Sequence, residues 1–137
     1  MTSKTSTTAS DIDRRAVLDV LKRGYEAWEG NDAEAFVAYY LDDASVVQPG
    51  RYKKDREEIR ATMAAGFAGP LQGSRVFDRP QDIRFLTDET AIVVSEDGIV
   101  FPGQDVVPSE ALVRATWVLA KRGGSWYVAA YHNSPAG

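Results

Sequence analysis

The sequence predicts an α+β domain in which helices close the concave face of a curved antiparallel sheet. Three observations carry that expectation. Apolar residues recur at helical spacing through the first half of the chain, and the period changes to two from Leu71 onward. All of this sits in 137 residues, a length that suits one hydrophobic core and one domain over residues 10–137.

Residues 1–9 are small and polar and are expected to form a flexible arm. A first helix is expected from Ser10, whose hydroxyl can cap it with Asp13 three residues on. Val17, Leu21, Tyr25 and Trp28 then make one apolar stripe, which Gly30 stops. Asn31 or Asp32 caps a short second helix carrying Phe36, Val37 and Tyr40, and Asp42 and Asp43 end it. The β-branched run Ala44–Gln48 reads as a strand closed by the Pro49-Gly50 turn. Asp55, with Glu58 at the capping-box position, starts a third helix, whose buried face is Ile59, Met63 and Phe67. Four strands follow, near 72–86, 90–101, 109–121 and 125–134, with Pro80 marking an edge or a bulge in the first.

Composition excludes several functions. With no cysteine there is no disulfide, thiolate metal site or cysteine nucleophile, and one histidine is too few for a zinc cluster. A net charge of −4 argues against nucleic acid as a partner. The basic residues Arg51, Lys53, Lys54 and Arg56 are interleaved with Asp55, Glu57 and Glu58, as in a solvated loop. Neither a spanning apolar run nor a leader peptide is visible, so a cytoplasmic location and no membrane partner are expected. No nucleotide, phosphate-loop or serine-nucleophile motif occurs, so neither cofactor nor metal is expected.

The last hairpin points to a pocket. If Gly123-Gly124 form a two-residue turn, Arg122 faces Ser125, and counting back pairs Trp117 with Ala130 and Ala115 with His132. One face then carries Ala115, Trp117, Ala130 and His132, an apolar wall in which alanines leave space beside a ring. The other face carries Arg114, Thr116, Val118, Tyr127 and Tyr131, and reads as a homodimer interface. A bulge at the glycines would exchange one strand's faces.

The phrase GNDAEAFVAYYLDDASVVQPG, the helix starting at DREEIRATM and the ending GGSWYVAAYHNSP resemble the nuclear transport factor 2-like superfamily. More narrowly they resemble its SnoaL-like branch and the SgcJ/EcaC-type proteins of bacterial enediyne polyketide clusters. The resemblance spans roughly residues 10–135. It implies a cone of helices over a curved sheet, a cavity between them, dimers through the sheet, and a hydrophobic small-molecule ligand. Members include isomerases, cyclases, hydrolases and dehydratases as well as silent binding or oligomerisation modules, so the fold fixes no reaction. Members of this branch often carry an oxidoreductase label, for which this chain shows no redox-cofactor motif. Asp55 stands where relatives commonly place glycine, which would remove a close backbone approach there.

Candidate chemistry follows from residue type. His132 is the one imidazole and the natural proton carrier near neutral pH. In the strand Ile92–Ile99, Glu96 and Asp97 point to opposite faces, so one of them is expected to meet the cavity as a second titrating group. A bulge at Asp97-Gly98 would instead turn both acids to water. Trp117 and Trp28 are expected to wall a flat or polyene ligand, with Tyr25, Tyr40, Met63 and, at the mouth, Gln48 completing the pocket. Two readings result: a cofactor-independent acid–base enzyme on a polyketide-type intermediate, or a non-catalytic binding module.

Overall fold

The apolar stripes, caps and turns of the sequence fold as three helices against a single six-stranded sheet. The computed structural model describes residues 9–137, with side chains from Asp11 onward. The expected arm, residues 1–9, and the capping hydroxyl of Ser10 therefore lie outside the described residues, apart from the Ala9 backbone, which opens α1.

Helix α1 is Ala9–Glu29, with Val17 and Leu21 buried against the sheet. Asp13 is used differently from the expected capping box: its Oδ1 accepts from Trp126 Nε1 and Lys121 Nζ, both at 3.1 Å, and ties the helix to the last hairpin. Asn31 takes the left-handed conformation at φ 54°, and Asp32 caps the four-residue α2, Ala33–Phe36. Asp42 and Asp43 do not end a helix. They lie exposed in strand β1, Tyr40–Gln48, where the register against its neighbour shifts. The basic segment is not all loop either: Arg51–Lys53 form a short strand, β2, returning from the Pro49-Gly50 turn. Asp55 caps α3, Arg56–Phe67, by accepting from the Glu58 amide, and Glu58 reaches back to the Lys54 amide.

The remaining strands are β3 (Arg75–Thr87), β4 (Thr90–Val100), β5 (Val113–Arg122) and β6 (Ser125–Pro135). A 3-10 turn at Ser109–Ala111 occupies the start of the expected third strand. Strand order is β2-β1-β6-β5-β4-β3, and all pairs are antiparallel except β1 with β6. The meander was legible from period and turns; the parallel return of β1 onto β6 was not. Pro80 lies on the edge strand β3 beside the extra residue Gln81, so it is both at an edge and at a bulge. The core joins Val17 and Leu21 of α1 to Ala91, Val93, Leu119 and Val128 of the sheet.

The β5–β6 hairpin holds the main correction. Gly123 and Gly124 both have positive φ, and the register at the turn is Arg122 with Ser125, as the dipeptide predicts. Between Leu119–Val128 and Val118–Ala130, however, Ala129 is extra. Beyond that bulge every β6 residue is displaced by one, so its faces exchange. Trp117 pairs with Tyr131, Ala115 with Asn133 and Thr116 with His132.

Candidate active site

Helices α1 and α3 close over the inner face of the sheet and leave a cavity of about 250 Å³. Its walls are apolar and aromatic. Tyr25 and Trp28 reach it from the same α1 stripe that packs the core, Phe36 and Tyr40 from the α2–β1 corner, and Met63 from α3. The Tyr131 ring stands 4.4 Å from that of Trp117, and the Tyr25 ring meets Trp117 edge-on at 6.3 Å. These three rings surround the polar end of the cavity.

That end is built on β4. Asp97 lines the cavity and is 4% exposed, while Glu96 points to the other side and pairs with Arg79 and Arg114. The strand stays regular enough that only one acid faces in, and neither is turned to water together with the other. Burial is the main cause that lifts the Asp97 carboxyl from 3.8 to about 9; the carboxyl of Asp78, its direct partner on β3, is the next. Asp97 therefore carries a proton at neutral pH. The Tyr25 proton is also held firmly, first by burial and then by the charges of Asp97 and Asp78. The Tyr25 hydroxyl and the Asp97 carboxyl each hydrogen-bond the Asp78 carboxyl, so the three form one buried polar cluster. Of the three, Tyr25 and Asp97 line the cavity and can meet a ligand there. Asn133, meanwhile, donates its Nδ2 to the Tyr131 hydroxyl at 2.8 Å, and Trp117 Nε1 donates to Ser95 Oγ at 3.3 Å.

The expected site residues divide accordingly. Trp117, Trp28, Tyr25, Tyr40, Met63, Gln48 and Asp97 line the cavity. His132 does not: it is exposed on the outer face, opposite Thr116 and beside Val47. Ala130 follows it outward, opposite Val118, and Ala115 is buried in the core without lining the space. Tyr131, assigned to the outer face by counting, faces the cavity instead, so it does not belong with Arg114, Thr116, Val118 and Tyr127. The Ala129 bulge explains each of these reversals.

Reading the sequence also missed residues that the fold recruits. Asn133 and Tyr131 enter through the bulge. Asp78 comes opposite Asp97 only because β3 carries extra residues at Gln81 and Leu86, and Pro80 was the visible sign of the first. Lys53 lines the mouth beside Gln48 because β2 is a strand and not a loop. Among the described residues no group of three or more His, Asp or Glu side chains is placed to hold a metal ion, and no helix is long and apolar enough to cross a membrane.

Helices at the start of the chain, a curved and mostly antiparallel sheet, and a pocket between them define the nuclear transport factor 2-like, or cystatin-like, class. Solved structures share this architecture. A domain of unknown function with a cystatin-like fold from Nostoc punctiforme superposes with a TM-score of 0.84 at 22% identity, over 97% of this chain and 80% of that one. A nuclear transport factor 2-like protein of unknown function from Shewanella oneidensis gives 0.77 at 18% identity, over 89% and 98% of the two chains. A ketosteroid isomerase-like protein from Erwinia carotovora atroseptica gives 0.71 at 20% identity, over 90% and 95%. Identities this low establish the fold alone. Within that class the chain belongs to the SnoaL-like domain family, whose sequence model matches residues 17–137. No curated protein matches it.

Proposed function

We propose that this protein is a cofactor-independent acid–base enzyme acting on a hydrophobic polyketide-type intermediate, of the kind made in enediyne-type natural-product biosynthesis. The observation that carries the reading is Asp97, a proton-bearing carboxyl facing an apolar, aromatic cavity. A carboxylic acid kept neutral near pH 7 by an apolar site can donate a hydrogen bond where a carboxylate could only accept one. Tyr25, which hydrogen-bonds Asp78 and lines the cavity, presents a second hydroxyl to a ligand oxygen at the same place. Two preorganised donors in a water-poor site stabilise charge developing on that oxygen. Membership of the SnoaL-like family, together with the resemblance of the chain as a whole to the enediyne-cluster proteins, supports the substrate class.

The chemistry is redox-neutral. Asp97 passes its proton to a carbonyl or hydroxyl oxygen of the ligand, and a proton leaving a ligand carbon returns to Asp97, so the protein ends unchanged. Dehydration and aldol-type cyclisation follow that cycle; hydration runs it in reverse, with the proton of the added water returning to Asp97; an isomerisation ends with Asp97 returning the proton to a second carbon. Asp78 acts through Asp97 by keeping it protonated and does not itself line the cavity.

The test uses 2-tetralone, a bicyclic ketone with acidic α-protons. Its C1 proton exchange into D2O, followed by NMR, is expected to be faster with the wild-type protein than in buffer. Asp97→Asn is expected to lower that acceleration by about 100-fold or more, the usual scale of general acid–base catalysis. Acceleration that survives Asp97→Asn removes Asp97 from the chemistry, and tight binding without any acceleration favours the binding-module reading. A homodimer through the outer sheet face, with Arg114, Thr116, Val118 and Tyr127 but without Tyr131, is the assembly we propose. A monomer mass in equilibrium sedimentation refutes it.

A further inference from the structure

Besides Asp97, the cavity lining holds one other Asp, Glu, Lys, Arg or His side chain among the described residues, and it lies several strands away in the same sheet. Lys53 on β2 donates from Nζ to Gln48 Oε1 at 2.7 Å, and both residues line the mouth. Lys53 forms no ion pair among the described residues. Glu58, whose charge acts on Lys53 without forming an ion pair with it, has its Oε1 committed to the Lys54 amide. Because Gln48 spends its carbonyl oxygen on Lys53, its remaining polar group is the amide N–H₂, which is a donor. The mouth therefore offers hydrogen-bond donors and one positive charge.

We propose that Lys53 and Gln48 form an anion-binding subsite that orients an elongated, mostly apolar substrate bearing a carboxylate or an ionised enol or phenol. The inference rests on the acid–base reading of the cavity and names the substrate class for it. A part-buried ammonium without a counter-ion is costly, and an anionic ligand group removes that cost. With Asp97 protonated, the lining carries one positive and no negative charge, so an anion is preferred over a cation or a neutral analogue. Gln48 lies on β1 and Asp97 on β4, three strand steps apart in the order β1-β6-β5-β4. At about 4.8 Å per step this is roughly 14 Å along the sheet, shortened by its curvature. That is the reach of two or three fused rings. An anion held at Lys53 would then place the far end of such a ligand at Asp97 and Tyr25. Burial, and after it the neighbouring charge of Arg51, favours the uncharged form of Lys53; the Glu58 charge offsets this only in part, and a bound anion relieves the rest.

The experiment compares 2-naphthoate with 2-naphthalenemethanol, which share the ring system and differ in charge, by tryptophan-fluorescence titration. Wild type is expected to bind 2-naphthoate about tenfold more tightly, the scale of one hydrogen bond to a charged group. Lys53→Met should abolish the preference, bringing the ratio of the two affinities to about one, and an unchanged circular-dichroism spectrum and melting transition report that the variant is folded. Lys53→Arg should retain most of it. Equal affinity for the two probes in wild type, or a preference that survives Lys53→Met, overturns the subsite and leaves the acid–base reading standing. Failure of both probes to bind wild type overturns the cavity itself as a ligand site, and both proposals with it.

Discussion

Replacing Asp97 by asparagine should make the protein more stable at neutral pH. Asp97 lies at 3.8 in an unfolded chain and about 9 in the native one. The native state thus binds the extra proton across that whole interval, and stability falls as pH rises through it. The contribution is complete below about pH 4 and is lost progressively up to about pH 9. At pH 7 the gap from 3.8 is about 3 units, and at about 1.4 kcal/mol per unit the cost of keeping Asp97 protonated reaches roughly 4 kcal/mol. An asparagine side chain at this position would need no proton. Its amide would also have to accommodate Asp78 and Ser95 in place of the carboxyl, so a net gain of about 2 kcal/mol is expected, allowing for one weakened hydrogen bond. Urea unfolding at pH 5, 7 and 8.5 reads this directly. Wild-type stability should drop by up to about 5 kcal/mol over that range, and the Asp97→Asn curve should be clearly flatter. Equal pH slopes for the two proteins, with the variant less stable at pH 7, would refute the claim that Asp97 is buried and protonated.

Two further substitutions probe the bulge and the loop beside the cavity. His132→Ala is expected to change stability by less than about 0.5 kcal/mol and to leave 2-tetralone exchange intact, because the imidazole is exposed on the outer face; a large loss of exchange would place it back in the chemistry. Gly98→Ala would set a Cβ 2.5 Å from Val107 Cγ1, forcing the loop between β4 and β5 outward. It should cost about 1–3 kcal/mol as an overpacked contact, read as a lower melting temperature with faster proteolysis between Phe101 and Ala111, and an unchanged melting temperature and cleavage pattern would show that the loop does not depend on that contact.

Much of the fold was legible in the chain because local physics encodes it. The α1 stripe from Val17 to Trp28, the Asp32 and Asp55 caps, and the positive-φ pair Gly123-Gly124 all act within a few residues of themselves, and each occurs where those signals place it. The same holds for the aromatic half of the site, since residues that pack at helical spacing on α1 must share a face with whatever that helix covers. Alternation also showed that either Glu96 or Asp97 would point inward.

Only the tertiary structure decided which groups meet. The run Val128-Ala129-Ala130-Tyr131-His132-Asn133 has no strong polar alternation, so nothing in it marks Ala129 as the unpaired residue, and the bulge shows only in how β6 pairs with β5. One inserted residue sends His132 to solvent and brings Tyr131 and Asn133 inside, because side chains change face at every step along a strand. Likewise Asp78 meets Asp97 only through two extra residues in β3, and Asp97 holds its proton first because the fold buries it and then because Asp78 stands against it. Residue type determined that an acid was available; cross-strand register and burial determined which acid, and in which charge state.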